Sequence, residues 1–371
     1  MKIANLVSTF PPHKGGMGLV CEDEAVRLAP EHEVAVFTLA YPNYKYEDED
    51  LSYKIFRLKP FIKIGDGGIL RNLEELLRGF DVVHLHYPFY GALGSLIKAK
   101  KLLGFKLVVT YHMDAQRAGC LSFANNLYDK IYSKKLFSVA DRVIVVDEDY
   151  FKASKFGRYI GKDKSVVLPN GVDLSVFKPA SIKTWLELGH QELTGKKVIL
   201  FVGNLLPVKN LQLLIKILPN LDNDARLAIV GGGYAEQSIR DLVNEKKLQD
   251  KIIFLGNDVS RELLSDYYRV ANVVAIPSLS ESFSLVAVEA MAGGAIVAGS
   301  EVSGLRGRIK NNEDGFLLKV NNEQIWIDGL NKILNLSEVE RQIISERASE
   351  SAKKYSVEEH MRKLKEVYLA L

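Results

Sequence analysis

The sequence predicts an α/β protein made of two Rossmann-like, doubly wound parallel sheets facing each other across a cleft. Three observations carry that expectation: the chain length, the regular return of short apolar runs, and one interruption that divides those runs into two series. At 371 residues the chain exceeds what one hydrophobic core usually serves, so two domains of under ~200 residues are expected. Apolar residues make up 47% of it, enough for two cores. The first series of strand-like runs is Ile3 to Val7, Val34 to Leu39, Val82 to Leu85, Leu107 to Tyr111, Val143 to Val146 and Val166 to Leu168, with helix-period segments between them. Such alternation implies a parallel sheet. Pro169-Asn-Gly and Pro179 then punctuate the chain, and a polar stretch runs to Gly195. The second series is Val198 to Val202, Leu227 to Val230, Ile252 to Leu255, Val273 to Ile276, Ala295 to Ala298 and Phe316 to Lys319. The expected domains are therefore residues 1–178 and 179–354. Residues 355–371 read as a closing amphipathic helix with Met361, Leu364, Val367, Tyr368 and Leu371 on its apolar side.

Charge is nearly balanced. Residues 1–178 hold 25 basic and 21 acidic side chains and the remainder 24 and 25, or +4 against −1. An asymmetry this mild argues against a nucleic-acid partner. Cys21 and Cys120 lack metal-like spacing and fit a reducing compartment, so a cytoplasmic protein is expected. No apolar run approaches the ~18 residues of a membrane span. Lys98, Lys100, Lys101 and Lys106 cluster near one helix end, and Phe123, Leu127, Ile131 and Leu136 alternate with Lys130, Lys134 and Lys135 in the next. A core face beside a solvated face is the favoured reading. Peripheral contact with anionic lipid at the inner membrane face is the alternative.

Open parallel sheets bind ligands at the carboxyl ends of their strands, and the chemistry-bearing residues gather there. They are Gly15-Gly16, His112, Gly203 to Lys209, Gly231 to Gly233, and Glu281. Glycines at 15 and 16 suit close backbone approach and positive φ. The segment Pro277 to Gly294 is the most informative. It reads as the end of a buried strand, a loop, and a helix Ser284 to Ala292 with Ser284 at its N-cap. Glu281 stands before that helix and Glu289 inside it. On a continuous helix eight residues are about 80° apart, so the loop break lets both carboxylates reach one ligand. The free amides of Ser284 to Val286 suit an anion such as a diphosphate, and Lys209 brings a cation over a neighbouring strand end. In Gly231-Gly232-Gly233 the third glycine of a dinucleotide fingerprint is replaced by Glu236, which disfavours a nicotinamide cofactor. His84 and His86 share a strand face, and with His112 make three imidazoles without a carboxylate at ligand spacing, so no bound metal is expected. Asp114 is close enough in sequence to orient His112.

Together these motifs resemble the retaining glycosyltransferases of the GT-B fold, family four. The resemblance rests on Glu281 to Glu289 as an E-x7-E pair, Thr9 to Gly16, Glu31-His-Glu-Val, Thr110-Tyr-His112, Leu168 to Asp173, Phe201 to Lys209 and Val230 to Gly233, in the family's order over nearly the whole chain. It implies a retaining, metal-independent transfer of a sugar from a nucleoside diphosphate sugar to a glycan, lipid-linked or small-molecule acceptor, with no further cofactor. It also implies that the last helix crosses back to the first domain. His112, Lys209 and Glu281 would be catalytic: His112 at the transferred sugar, Lys209 at the departing diphosphate, Glu281 on the sugar side of the donor. Glu289 would take the ribose hydroxyls. Further donor contacts would fall on Gly15, Gly16, Gly203, Asn204, Gly232, Asn257, Val259, Ser282, Phe283, Ser284 and Leu285. Asn204 stands where the family places an arginine, and Ser282 and Ser284 stand where glycines are frequent. A neutral amide cannot offset diphosphate charge as a guanidinium does, which opens the alternative of a nucleotide-sugar-binding scaffold or regulator with weak or lost transfer. The loops Tyr41 to Tyr53 and Asp114 to Ser122 are expected to shape the acceptor site.

Overall fold

The computed structural model describes residues 1–13, 15–41, 46, 48, 51–114, 126–177 and 183–371. They fall into two compact units, Met1–Gly171 with Glu358–Leu371, and Val172–Val357. The acceptor-loop residues 42–45, 47, 49–50 and 115–122, together with Cys120 and Phe123, lie outside the described residues.

In the first unit the strands are β1 (Lys2–Leu6), β2 (Glu33–Leu39), β3 (Lys54–Leu58), a two-residue hairpin β4 (Lys63–Ile64) and β5 (Gly67–Gly68), β6 (Val82–Tyr87), β7 (Lys106–Tyr111), β8 (Arg142–Val145) and β9 (Ser165–Val167). Seven of them form one sheet in the order β3-β2-β1-β6-β7-β8-β9, every pairing parallel. Strands covered on both faces carry continuous apolar runs, and β6 is buried along its whole length, histidines included. The strand β3 is absent from the expected series. It lies at the sheet edge, and its Lys-Ile-Phe-Arg-Leu sequence remains partly exposed, so it lacks the apolar run that marks a central strand.

The second unit holds β10 (Lys197–Val202), β11 (Ala225–Val230), β12 (Ile252–Gly256), β13 (Val273–Ile276), β14 (Val297–Ser300) and β15 (Phe316–Leu318). These form a second sheet in the order β12-β11-β10-β13-β14-β15, again parallel throughout. The run expected at Ala295 to Ala298 forms its strand two residues later. In both sheets the strand order reverses once, between β1 and β6 and between β10 and β13.

The units divide at Gly171 and Val172, earlier than residue 178, because a short backbone pairing captures Val172. Its amide donates to the Tyr355 carbonyl at 2.9 Å and its carbonyl accepts from Val357 N at 2.9 Å. Pro179 lies outside the described residues. The helices used below are α1 (Gly16–Leu28), α2 (Arg261–Val270), α3 (Leu285–Ala292), α4 (Ser303–Arg306) and α5 (Val357–Leu369). Nearly all of α5 belongs to the first unit.

At the carboxyl end of the second sheet, backbone packs on backbone. A Cβ on Gly231 would meet the Gly203 carbonyl oxygen at 2.0 Å, and Gly231 has φ +138. Gly231→Ala is therefore expected to destabilise the protein by about 1–3 kcal/mol, measured as a lower unfolding midpoint. An unchanged midpoint would mean that the β10 and β11 loops move apart without cost.

Candidate active site

The reversal point of the second sheet sets the first group of candidates. Lys209 ends a short turn, Pro207–Lys209, in the loop after β10, and Glu281 lies in the loop after the neighbouring β13. Lys209 Nζ donates to Glu281 Oε1 at 2.6 Å. The Ser278 hydroxyl donates to the same oxygen at 2.8 Å. Glu281 is 9% exposed and the lysine side chain 28%, so the pair is anchored on its acidic side and open on its basic side. Behind it, α4 approaches closely: a Cβ on Gly304 would lie 2.5 Å from the Glu281 carbonyl oxygen, and Gly304 N donates to that oxygen at 3.0 Å.

Ser284 is the residue before α3, as expected, but it does not act as a side-chain cap. Its backbone is left-handed, φ 69, and its hydroxyl accepts no helix amide. That conformation costs a residue with a Cβ roughly 1–2 kcal/mol, which explains why glycine suits this position. The first-turn amides of α3 are thereby left to other acceptors. Ser282 is half-buried and Leu285 likewise. Phe283 is buried to 2%: the Arg308 guanidinium lies 4.1 Å over its ring and Tyr355 meets it edge-on. Its side chain is thus committed to packing, and only its backbone remains for a ligand. Glu289 is buried at 8% exposure and accepts from the Tyr268 hydroxyl of α2 at 2.9 Å. Burial and the adjoining Glu289 carboxylate push the Tyr268 phenol well above its ordinary range, so it remains a donor.

Gly203 follows β10 with φ +149, and Asn204 beside it is exposed. The space a Cβ on Gly232 would fill is occupied by the Asn257 amide at 2.8 Å. Asn257 can swing aside, so the close backbone contacts of the glycine run are at Gly231 against Gly203 and at Gly233, where a Cβ would lie 2.6 Å from the Leu205 carbonyl oxygen. Asn257 is exposed and Val259 half-buried beyond β12.

In the first unit, Gly15 precedes α1 with an extended φ of −174. The positive φ expected there is not used. The close-approach glycine is Gly18, where a Cβ would lie 2.5 Å from the Thr9 carbonyl; Gly16 opens the helix. His112 follows β7 and is 4% exposed. Burial, outweighing the attraction of Glu24, pushes its pKa down to about 3, so the ring is neutral. Asp114 does not orient it. That carboxylate accepts from the Tyr111 hydroxyl, and His112 Nε2 instead meets His86 Nδ1 at 3.0 Å. The carboxylate that sequence spacing does not place beside the histidines comes from α1: Glu24 Oε2 lies 3.5 Å from His84 Nδ1 and 3.6 Å from His86 Nε2. Its other oxygen meets His360 Nε2 of α5 at 2.9 Å. Burial alone would lower His360, but the hydrogen bond and charge of Glu24 prevail and raise it.

Comparison with known proteins gives the family and the fold. Residues 14–176 match Glycosyltransferase Family 4, and residues 188–354 match the glycosyl transferases group 1 family. A D-inositol 3-phosphate glycosyltransferase of Xylanimonas cellulosilytica is 30% identical over 72% of this chain and 67% of its own. The chain belongs to glycosyltransferase family 4. An uncharacterized glycosyltransferase of Methanocaldococcus jannaschii is 27% identical over 96% of this chain and 95% of its own. Among solved structures, Anabaena HepE in complex with UDP-glucose superposes with a TM-score of 0.80 at 19% identity, covering 100% of both chains, which supports the GT-B fold. This glycosyltransferase has no helix among the described residues long and apolar enough to cross a membrane. Two of its clustered basic residues are ion-paired, Lys98 to Glu74 and Lys100 to Asp141.

Sequence reasoning missed Tyr268, Ser278, Gly304, Arg308 and Glu24. Ser278, three residues before Glu281, carried a local signal; the others reach their partners only through the fold. Tyr268→Phe removes a donor from a buried carboxylate, and a loss of about 1–3 kcal/mol of stability is expected in thermal unfolding. An unaltered midpoint would mean that other donors satisfy Glu289.

Proposed function

We propose that this glycosyltransferase moves a hexose from a nucleoside diphosphate sugar to a sugar, glycan, lipid-linked or small-molecule hydroxyl, with retention at the anomeric carbon and no metal on the diphosphate. The observation that carries this reading is the 2.6 Å Lys209–Glu281 pair beside a helix start whose serine leaves the first amides uncapped. A diphosphate brings Lys209 a more highly charged partner than one carboxylate, and the amides add donors at the positive end of the helix dipole. Phosphate charge would thus be met by a lysine and backbone amides.

The chemistry follows from where charge develops. The bond between the anomeric carbon and the diphosphate oxygen breaks, its electron pair stays on that oxygen, and Lys209 with the α3 amides stabilises it. The acceptor hydroxyl attacks the anomeric carbon from the face the diphosphate leaves, and its proton passes to the departing phosphate oxygen. Glu281 and Glu289 accept from sugar and ribose hydroxyls, a task suited to carboxylates. On the first domain the candidate is His112, whose neutral ring adds no charge to repel a developing oxocarbenium ion.

Incubation with a panel of nucleoside diphosphate sugars, headed by UDP-glucose because the HepE complex holds it, should give sugar transfer or slow donor hydrolysis. Neither reaction with any donor would refute the proposal. Lys209→Ala should lower kcat by about 10²–10³ while weakening donor binding much less; equal losses would remove Lys209 from the leaving-group role. The exposed Asn204 favours a second reading, a nucleotide-sugar-binding protein with weak transfer. Calorimetric donor binding without turnover would select it.

A further inference from the structure

The buried cluster in the first domain does more than the sugar-transfer reading requires. Glu24 from α1 and His84 and His86 from β6 are each at most 1% exposed, and one ligand atom from each falls within 4.8 Å of the others. Glu24 Oε2 and His86 Nε2 have no hydrogen-bond partner among the described residues, although both are sealed from solvent. A carboxylate oxygen and an imidazole nitrogen left so are costly.

The outer atoms of the same side chains are all engaged. His84 Nε2 lies 2.6 Å from Thr110 Oγ1, His86 Nδ1 3.0 Å from His112 Nε2, and Glu24 Oε1 2.9 Å from His360 Nε2. When His84 Nε2 and His86 Nδ1 carry the hydrogens, His84 Nδ1 and His86 Nε2 present lone pairs toward Glu24 Oε2. Outer-shell hydrogen bonds of this kind orient imidazoles and carboxylates that bind metals. The unengaged atoms point inward, apart from His84 Nδ1, which is 2.7 Å from the Tyr368 hydroxyl.

Separation decides what could sit between them. Glu24 Oε2 is 3.5 Å from His84 Nδ1 and 3.6 Å from His86 Nε2. Two ligands at zinc bond lengths in a tetrahedral site stand about 3.3–3.4 Å apart. A water bridging two groups 3.6 Å apart at ordinary hydrogen-bond lengths would be bent to about 80°, whereas a zinc-length bridge opens to about 115–125°. Both separations from Glu24 Oε2 therefore suit a small metal ion better than a water, and the two imidazole nitrogens lie within 4.8 Å of each other.

We propose that Glu24 Oε2, His84 Nδ1 and His86 Nε2 form a buried binding site for a divalent transition metal of the zinc class. Two neutral imidazoles and one carboxylate are a ligand set that zinc accepts. Binding draws His84 Nδ1 away from the Tyr368 hydroxyl, which keeps its proton. The site departs from the metal-free expectation because α1 supplies a carboxylate from far along the chain. It belongs to the first domain, whereas Lys209, Glu281 and α3 belong to the second, and it ties α1 and β6 to α5 through His360. Through His86 Nδ1–H it also holds His112 in the tautomer with its proton on Nδ1.

The test uses the tag-free full-length chain, stripped of metal by a chelator and titrated with Co²⁺. Intense visible bands of low-coordinate cobalt, saturating at one equivalent and abolished by one equivalent of Zn²⁺, are expected. Glu24→Gln and His86→Gln should each weaken Zn²⁺ binding by about 10- to 100-fold or more, whereas His190→Gln, in the second domain, should not. Absence of bands from the wild-type chain overturns the proposal, as do bands that persist unchanged in both cluster variants. Should either variant fail to fold, the wild-type cobalt spectrum still decides.

Discussion

A parallel sheet cannot turn back on itself in two residues, and everything functional in this chain depends on that constraint. Each strand must be followed by a crossover, so the loops after all strands collect on one edge. Where the strand order reverses, neighbouring loops diverge and leave a crevice. Lys209 follows β10 and Glu281 follows β13, the two strands that flank the reversal in the second sheet. In the first sheet the flanking strands are β1 and β6; α1, which carries Glu24, follows the former, and His84 and His86 lie on the latter. Residues more than fifty positions apart meet at both places because topology brings them there.

The two groups handle charge in opposite ways. In the second domain Lys209 remains partly exposed and pairs with a carboxylate already held by Ser278. The partly exposed ammonium of that pair can reach a second anion while Ser278 still holds the carboxylate. In the first domain Glu24 is almost inaccessible and surrounded by imidazoles. An ionised carboxylate there requires compensation, which His360 provides by a hydrogen bond on one oxygen, while the other faces His84 and His86 at 3.5 and 3.6 Å without a hydrogen bond among the described residues. The same side chain type is a replaceable partner in one place and an obligate one in the other.

Legibility followed how local each signal was. The apolar runs located every central strand because burial on both faces demands them, whereas the edge strand β3 went unread for want of that demand. The strand ends and helix that carry Glu281, Glu289 and Lys209 were legible from patterns within short segments. The type and position of Ser284 predict a cap, but its backbone is left-handed and its hydroxyl accepts no helix amide. Asp114 was the nearest acid to His112 along the chain, yet Tyr111 takes it and His86 on the adjacent strand is the partner.

Sequence alone was enough for the fold class and the family resemblance, since these depend on periodicity and short spacings. Tertiary structure alone decided which groups come together: Tyr268 on Glu289, Gly304 against the Glu281 backbone, and Glu24 with His360 around the histidines. These contacts span 21 to 336 residues of chain. No short window encodes them, because a hydrogen bond between side chains depends on strand order and helix packing, and those are properties of the whole domain. The lysine and the two glutamates marked out by their spacing are therefore only part of the second-domain group; packing supplied the rest.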